Sequence, residues 1–195
     1  MISIKQLDFS SVPKNQMDLV FEARMIWRDL ATWIQSYLVS VFAGFGNQDS
    51  IEAKLKGVTL EFGDVLSTVF GGEFGEQYEN LITNWLNTFK LLVFSQINSD
   101  INAINGYTKQ LYDDIDQIAI FLSEINPFWI ENEWKALLYR FNDMIIKELS
   151  AYMNKEYTNA VESFDSLLNL TSIIGNYYSN GLLNYLTYSG RKQIT

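Results

Sequence analysis

Histidine and cysteine, two residue types that often serve as catalytic bases, nucleophiles or metal ligands, are both absent from this chain. A Ser-His-Asp arrangement, a cysteine nucleophile, a thiolate metal site and disulfide bonds are therefore excluded. Imidazole-based transition-metal sites are excluded for the same reason. Any chemistry must come from carboxylates, hydroxyls, amides, lysines and arginines.

Three carboxylates, Asp113, Asp114 and Asp116, lie close together in the chain. Clustered carboxylate oxygens suit Ca²⁺ or Mg²⁺. A solvated acidic helix face following Tyr112 explains the same run without a ligand and is the favoured interpretation. We therefore predict no metal at this run of aspartates.

Two other short motifs match catalytic or phosphate-binding signatures only in part. Ser11 and Lys14 have the spacing of an SxxK nucleophile motif, but the SDN and KTG motifs of that enzyme class are absent. The glycine-rich segment 71–75, GGEFG, lacks the Lys and Ser/Thr of a phosphate loop. We predict no catalytic residue and no cofactor, and an enzyme is the less favoured class.

The composition favours a folded, acidic protein. Hydrophobic residues make up 48% of the 195 residues, and the net charge of −9 argues against binding to a nucleic-acid backbone. The most apolar run, residues 33–45, is shorter than the roughly 20 residues of a membrane span, and the N-terminus lacks the pattern of a signal peptide. These features predict a cytoplasmic protein with no nucleic-acid partner and no membrane span.

Apolar residues recur every three or four positions along most of the chain, which is typical of helices that bury one face. The breaks fall at Gly71-Gly72, Asn98-Ser99-Asp100, Asn126-Pro127 and Asn154-Lys155. Short turns between long helices make neighbours antiparallel, so we predict a single all-α domain, residues 1–195: a helical bundle of about six helices arranged as three repeated hairpins. The predicted segments are an N-terminal arm at 1–12, helices at about 13–45, 51–70, 73–97, up to 125, 130–153 and 156–186, and a flexible tail at 189–195.

A recurrence of small and apolar residues supports three copies of one hairpin. The second helices match at a spacing of 56 residues, and the first helices match at a spacing of 55. Small residues on apolar faces let partner helices approach closely, and the alternative is that helix crossings reuse small residues without any repeat. The matched sets are Gly63, Ala119 and Gly175; Ser67, Ser123 and Ser179; Phe62, Ile118 and Ile174; Leu66, Leu122 and Tyr178; Trp27, Ile82 and Leu137; and Ile34, Phe89 and Met144.

One aligned position of the first helices is uneven. It holds Leu30 and Trp85 in the first two hairpins and Arg140 in the third. A charged residue on an apolar face either extends its head group to water or pairs with a carboxylate. Asp143 and Glu148 are the nearby candidates for such a pair.

The stretch IAIFLSEINPFW at 118–129 is the most specific part of the chain. It resembles the NAxEIAxFLSxxNPxW motif of a family of small, mostly uncharacterised, all-helical bacterial proteins, and the resemblance covers residues 24–186. The first helices of that family carry LWxxH, LLxxH and MLxxH motifs. The resemblance implies an all-helical bacterial protein and, in the family, histidines and carboxylates that would bind a metal or ligand.

The chain departs from the family at those positions. Leu30, Trp85 and Arg140 stand where the family has histidines, and Gln117 and Asn176 replace two carboxylates. The resemblance therefore implies that inherited metal chemistry is lost. The same positions still define a candidate ligand pocket between the hairpins, formed by Leu30, Glu61, Trp85, Gln117, Arg140, Glu148 and Asn176.

Tyrosines cluster on or just after the last helix, at Tyr177, Tyr178, Tyr185 and Tyr188. The favoured interpretation is a core rim whose hydroxyls reach water, and a ligand pocket or partner surface is the alternative. We predict a non-enzymatic bundle with a structural or partner-binding role, including a homodimer through an aromatic helix face. The alternative function is a small-molecule or metal-binding bundle with its pocket between the hairpins.

Overall fold

The computed structural model describes residues 14–192, which form six α-helices joined by short turns. The all-α class and the three successive hairpins predicted from the sequence are confirmed. The predicted arm at 1–12 lies outside the described residues, as do residues 193–195. The helices are α1 (Lys14–Ala43), α2 (Gln48–Phe70), α3 (Gly72–Ile97), α4 (Ile101–Ile125), α5 (Glu131–Met153) and α6 (Tyr157–Lys192).

Local signals end the helices where the sequence predicts. Gly71, directly after α2, adopts a φ of 101°, a left-handed backbone that glycine takes without strain. α4 ends before Asn126, because Pro127 disfavours the helical conformation of the residue preceding it, and the φ of Asn126 is −140°. Asp100 caps α4 by accepting a hydrogen bond from the Ala103 N–H at 3.0 Å.

The last helix is longer than predicted. The expected end near residue 186 is wrong, since α6 continues to Lys192. The Tyr185 ring lies 4.6 Å from the Phe70 ring, and the Tyr188 ring lies 6.1 Å from the Phe128 ring, measured between centroids. These apolar contacts favour continued helix through a segment whose composition is polar.

The six helices close into a ring. Each helix packs against the next one in the chain, α6 packs against α1, and α5 also contacts α1 and α3 across the middle. Two glycines allow close approach: a Cβ on Gly175 would lie 2.2 Å from the Arg24 carbonyl oxygen, and one on Gly63 would lie 3.1 Å from the Gly75 carbonyl oxygen. The sequence-based role of these small residues in close packing is confirmed at the α1–α6 and α2–α3 contacts.

The buried positions show where the aligned spacing was one residue off. Burial recurs every 56 residues on the second helices, as predicted, and after 55 residues from α1 to α3. From α3 to α5 the spacing is 56, because the first hairpin is one residue shorter than the others between matched core positions (62 − 27 = 35, but 118 − 82 = 36 and 174 − 138 = 36). The buried sets on the first helices are therefore Trp27, Ile82 and Leu138; Leu30, Trp85 and Phe141; and Ile34, Phe89 and Ile145.

Candidate functional site

The predicted pocket residues are dispersed in the structure. Leu30 and Trp85 are buried in the core and line one small void together. Phe141 takes the third place of their column, so the alignment of Arg140 with them is wrong, and Arg140 is exposed on the surface. The remaining four lie apart from that void: Glu61 and Gln117 are exposed, Asn176 is half-buried and Glu148 is fully buried.

The void beside Leu30 and Trp85 is small and apolar. It encloses only about 10 Å³, and its lining presents no polar surface. A water molecule needs both that much space and two or more polar partners. The Trp85 Nε1 is already used, because it donates to Asn142 Oδ1 at 2.9 Å. This void therefore offers nothing that would orient a small-molecule ligand.

Two buried polar residues near the void have complete hydrogen bonding. The Asn142 amide accepts from Trp85 and donates to the Leu111 carbonyl oxygen at 3.0 Å. Asp114 accepts hydrogen bonds from Thr88 Oγ1 and Gln110 Nε2, each at 2.7 Å. We call Thr88, Asp114, Trp85 and Asn142 the partnered layer.

The aspartate run is structural in three different ways. Asp113 pairs with Lys109, and Asp116 accepts from the Tyr139 hydroxyl at 2.7 Å. The predicted solvated face is wrong at Asp114, which is only 6% exposed. The spacing of 56 carried the missed signal, since it aligns Asp114 with two buried apolar residues, Val58 and Leu170.

Glu148 on α5 is the most unusual polar group in the core. Its side chain has no exposed surface, and neither carboxylate oxygen has a hydrogen-bond partner among the residues that the structure describes. Burial raises the pKa of this carboxyl to about 8. The predicted pairing of Arg140 with Glu148 does not occur, since Arg140 is exposed while the carboxylate is buried without a partner.

Further unpartnered polar atoms lie near Glu148. Gln35 Nε2 on α1 donates to the Tyr152 hydroxyl at 3.0 Å, but Gln35 Oε1 is buried without a partner in the described part of the chain, and so is Ser163 Oγ on α6. Burial raises the pKa of Tyr152, the hydrogen bond from Gln35 lowers it, and the nearby charge of Glu148 raises it. We call Gln35, Glu148, Tyr152 and Ser163 the polar corner.

The positions of these residues along the helices place them at one height of the bundle. Glu148 lies five residues before the end of α5, and Ser163 lies six residues after the start of α6, so they are almost level across that hairpin. Antiparallel packing of α1 on α6, with Gly175 beside Arg24, brings residue 35 level with residue 164. The corner is thus built by three helices.

A layer of aromatic rings fills the other half of the core. Tyr178 stacks on Trp129 with ring centroids 5.2 Å apart, and its hydroxyl, like that of Tyr78, is buried without a partner within residues 14–192. The prediction that the tyrosine hydroxyls of α6 reach water is therefore wrong for Tyr178. Tyr177 has a different use, because its hydroxyl accepts a hydrogen bond from the Ile130 N–H at 2.7 Å, just before α5.

An acidic groove runs along the surface between α1 and α2 and encloses about 470 Å³. Ile26 and Val65 are buried at its floor. Burial raises the pKa of Asp29, while the adjacent Arg28 lowers it. The groove is lined by four carboxylate residues, Glu22, Asp29, Glu61 and Asp64, and by Leu19, Phe21, Met25, Ile26, Val65 and Thr68.

A second, basic groove lies on the other side of α1, against α6, and encloses about 250 Å³. Arg24 and Arg28 line it, together with Thr171 and Ser172. Phe21 borders both grooves and is 65% exposed. The first half of α1 therefore forms an apolar ridge between surfaces of opposite charge.

No family model, no curated protein and no solved structure matches this chain. Among the helices of residues 14–192, none combines the length and apolar character that crossing a membrane requires. In the same residues, no three His, Cys, Asp or Glu side chains gather closely enough to hold a metal ion.

Proposed function

We propose that this protein is a non-enzymatic, partner-binding helical bundle, and that its partner is a second copy of the same chain docked through α1. The observation that carries the proposal is the exposed Phe21 ring between the acidic and basic grooves. An exposed apolar residue flanked by charged surfaces is typical of a protein–protein contact.

The charge arrangement is what a two-fold dimer needs. In an isologous interface the same patch serves both copies, so each feature must face its complement. With the two Phe21 rings near the symmetry axis, the basic groove of each copy, with Arg24 and Arg28, meets the acidic groove of the other, with Glu61 and Asp64. The net charge of −9 opposes association at long range, so these local pairs supply the specificity.

Charge-reversal variants test this arrangement by sedimentation velocity over a wide concentration range. We expect wild-type protein to form a concentration-dependent dimer, and Arg28→Glu or Asp64→Lys to raise its dissociation constant by about 10-fold or more. The double variant restores opposite charges and is expected to recover most of the affinity. Lys147→Glu, at an exposed position of α5, is the control and leaves the dimer unchanged. A wild-type chain that stays monomeric throughout contradicts the proposal.

Two phenylalanines of equal exposure give a matched test of the ridge. Phe21 is 65% exposed on α1 and Phe94 is 64% exposed on α3. Phe21→Ser is expected to abolish the dimer, because it removes the apolar contact at the symmetry axis, whereas Phe94→Ser leaves it intact. Equal effects of the two substitutions would mean that general surface apolarity, rather than this ridge, drives association.

The alternative function, a small-molecule or metal-binding bundle, is favoured by one observation, the unpartnered carboxylate of Glu148. Of the seven predicted pocket residues, it is the one whose environment calls for a bound group. A cytoplasmic location, the triplication of the hairpin and the resemblance to the bacterial helical family stay predictions.

A further inference from the structure

The polar corner is short of hydrogen-bond donors. Four buried oxygen atoms, two on Glu148, Oε1 of Gln35 and Oγ of Ser163, have no partner among the described residues. A buried polar atom left unpaired destabilises the fold, and a buried charge does so strongly. These atoms therefore require something that the side chains around them do not supply.

Packing alone does not require polar residues at these positions. The spacing of 55 and then 56 residues aligns Glu148 with Tyr37 and Leu92, which are both buried. The spacing of 56 aligns Ser163 with Ile51, which is buried as well. The third hairpin thus places a carboxylate and a hydroxyl where the first hairpin places Tyr37 and Ile51. Polar groups kept in a core against packing are typical of a functional site.

The oxygen atoms select the chemistry of the guest. Carboxylate, amide and hydroxyl oxygens are the ligands of hard cations. The groups facing Glu148 from the neighbouring helices, Gln35 on α1, Ser163 on α6 and Tyr152 on its own helix, are neutral, and no lysine or arginine pairs with it within residues 14–192. A monovalent cation balances its single charge, whereas a divalent ion leaves an excess positive charge in an apolar core.

We propose that the polar corner binds one dehydrated alkali cation, Na⁺ or K⁺, held by the Glu148 carboxylate together with Gln35 Oε1 and Ser163 Oγ. The cation neutralises the carboxylate and ties α5 and α6 to α1. This site is separate from the ridge on α1, so failure of the dimer leaves it untouched.

Thermal unfolding at pH 8 and equal ionic strength tests the proposal, in NaCl, KCl or choline chloride. The choline cation is too large for a buried site, and it matches the general salt effect. We expect the melting temperature of the wild-type protein to be about 3 °C higher in at least one alkali salt than in choline. Glu148→Gln, which keeps the shape and removes the charge, is expected to lose that difference. Equal wild-type melting temperatures in all three salts, as expected if the carboxyl simply holds a proton or a water molecule, overturn the proposal.

Asp114→Asn is the matched control, because Asp114 is a second buried carboxylate whose oxygens both have partners. This variant is expected to be less stable but to keep the alkali-specific difference, and Ser163→Ala is expected to reduce it. Binding is measured directly by ²³Na NMR, in which the wild-type protein broadens the sodium signal and Glu148→Gln does not. A variant that retains the full broadening overturns the assignment to Glu148.

Discussion

The partnered layer and the polar corner hold two buried carboxylates in contrasting surroundings. Asp114, between α3 and α4, accepts hydrogen bonds from a threonine and a glutamine. Glu148, on α5 between α1 and α6, accepts none from the described residues. Each stands at a position that is apolar in another hairpin, Val58 or Leu170 for Asp114 and Leu92 for Glu148.

The contrast separates polar groups that hold the fold together from polar groups that the fold must tolerate. Removing a partner from the first kind leaves a donor or acceptor unpaired and destabilises the protein. Removing the charge from the second kind relieves a desolvation penalty and stabilises it. The sign of the change in stability therefore tells the two kinds apart, and four measurements test it.

The largest expected effect is the pH dependence of stability caused by Glu148. Its pKa in the folded protein is about 8, against a model value of 4.5, so the folded state binds the proton more tightly than the unfolded state does. The stability contribution is complete below about pH 4.5 and falls by about 1.4 kcal/mol per unit as the pH rises toward 8. Urea unfolding from pH 5 to 8 in choline chloride measures this, with the slope expected to disappear in Glu148→Gln. Identical slopes in the two proteins would remove the distinction between the carboxylates.

The next largest effect is expected in the partnered layer, at Asn142. Asn142→Ala breaks the hydrogen bonds to Trp85 and Leu111 and leaves a cavity, so we expect a loss of about 3 kcal/mol in the free energy of unfolding. Gln117→Ala, at an exposed residue of α4, is the control and changes stability by less than about 0.5 kcal/mol. If Asn142→Ala were also within that limit, the layer would not contribute to stability as described.

Asp114→Ala is expected to cost about 2 kcal/mol, because the Thr88 hydroxyl loses its acceptor in the core while the exposed Gln110 amide turns to water. Glu148→Leu, measured alongside at pH 8 in choline chloride, is expected to raise the free energy of unfolding. Chemical denaturation of both variants gives the comparison directly. Destabilisation of similar size by both substitutions would show that Glu148 has partners of its own.

The smallest effect is expected for the unpartnered hydroxyls of the aromatic layer. Tyr78→Phe and Tyr178→Phe each remove a buried oxygen that has no partner in the described chain, so stability should change by less than about 0.5 kcal/mol or rise slightly. The melting temperature of each variant checks this. A loss of several degrees would show that these hydroxyls bind ordered water and belong with the partnered layer.

Several features of the fold were predictable because their causes are local in the chain. Gly71 and Asn126-Pro127 end helices through their own backbone preferences, and helical spacing of apolar residues marked the buried faces. The length of α6 was not predictable in this way, because Tyr185 and Tyr188 extend it through contacts with Phe70 and Phe128. The column of Leu30 and Trp85 was found, but its third member, Phe141, depended on a one-residue difference between hairpins.

The candidate site was predictable only as far as single residues. Glu148 was named as a candidate because it lies near Arg140 in the chain, whereas its isolation in the core arises from α1 and α6 packing around it.

By itself, the sequence determined the six helices, their antiparallel order and the exclusion of imidazole and thiolate chemistry, because these follow from residue types and from spacing within one helix. Only the tertiary structure decided which buried polar groups have partners. Thr88 reaches Asp114 across 26 residues of chain and Trp85 reaches Asn142 across 57, whereas no side chain of the described residues reaches Glu148. Hydrogen bonding acts over about 3 Å in space, so partners that are distant in the chain become visible only once the helices are packed.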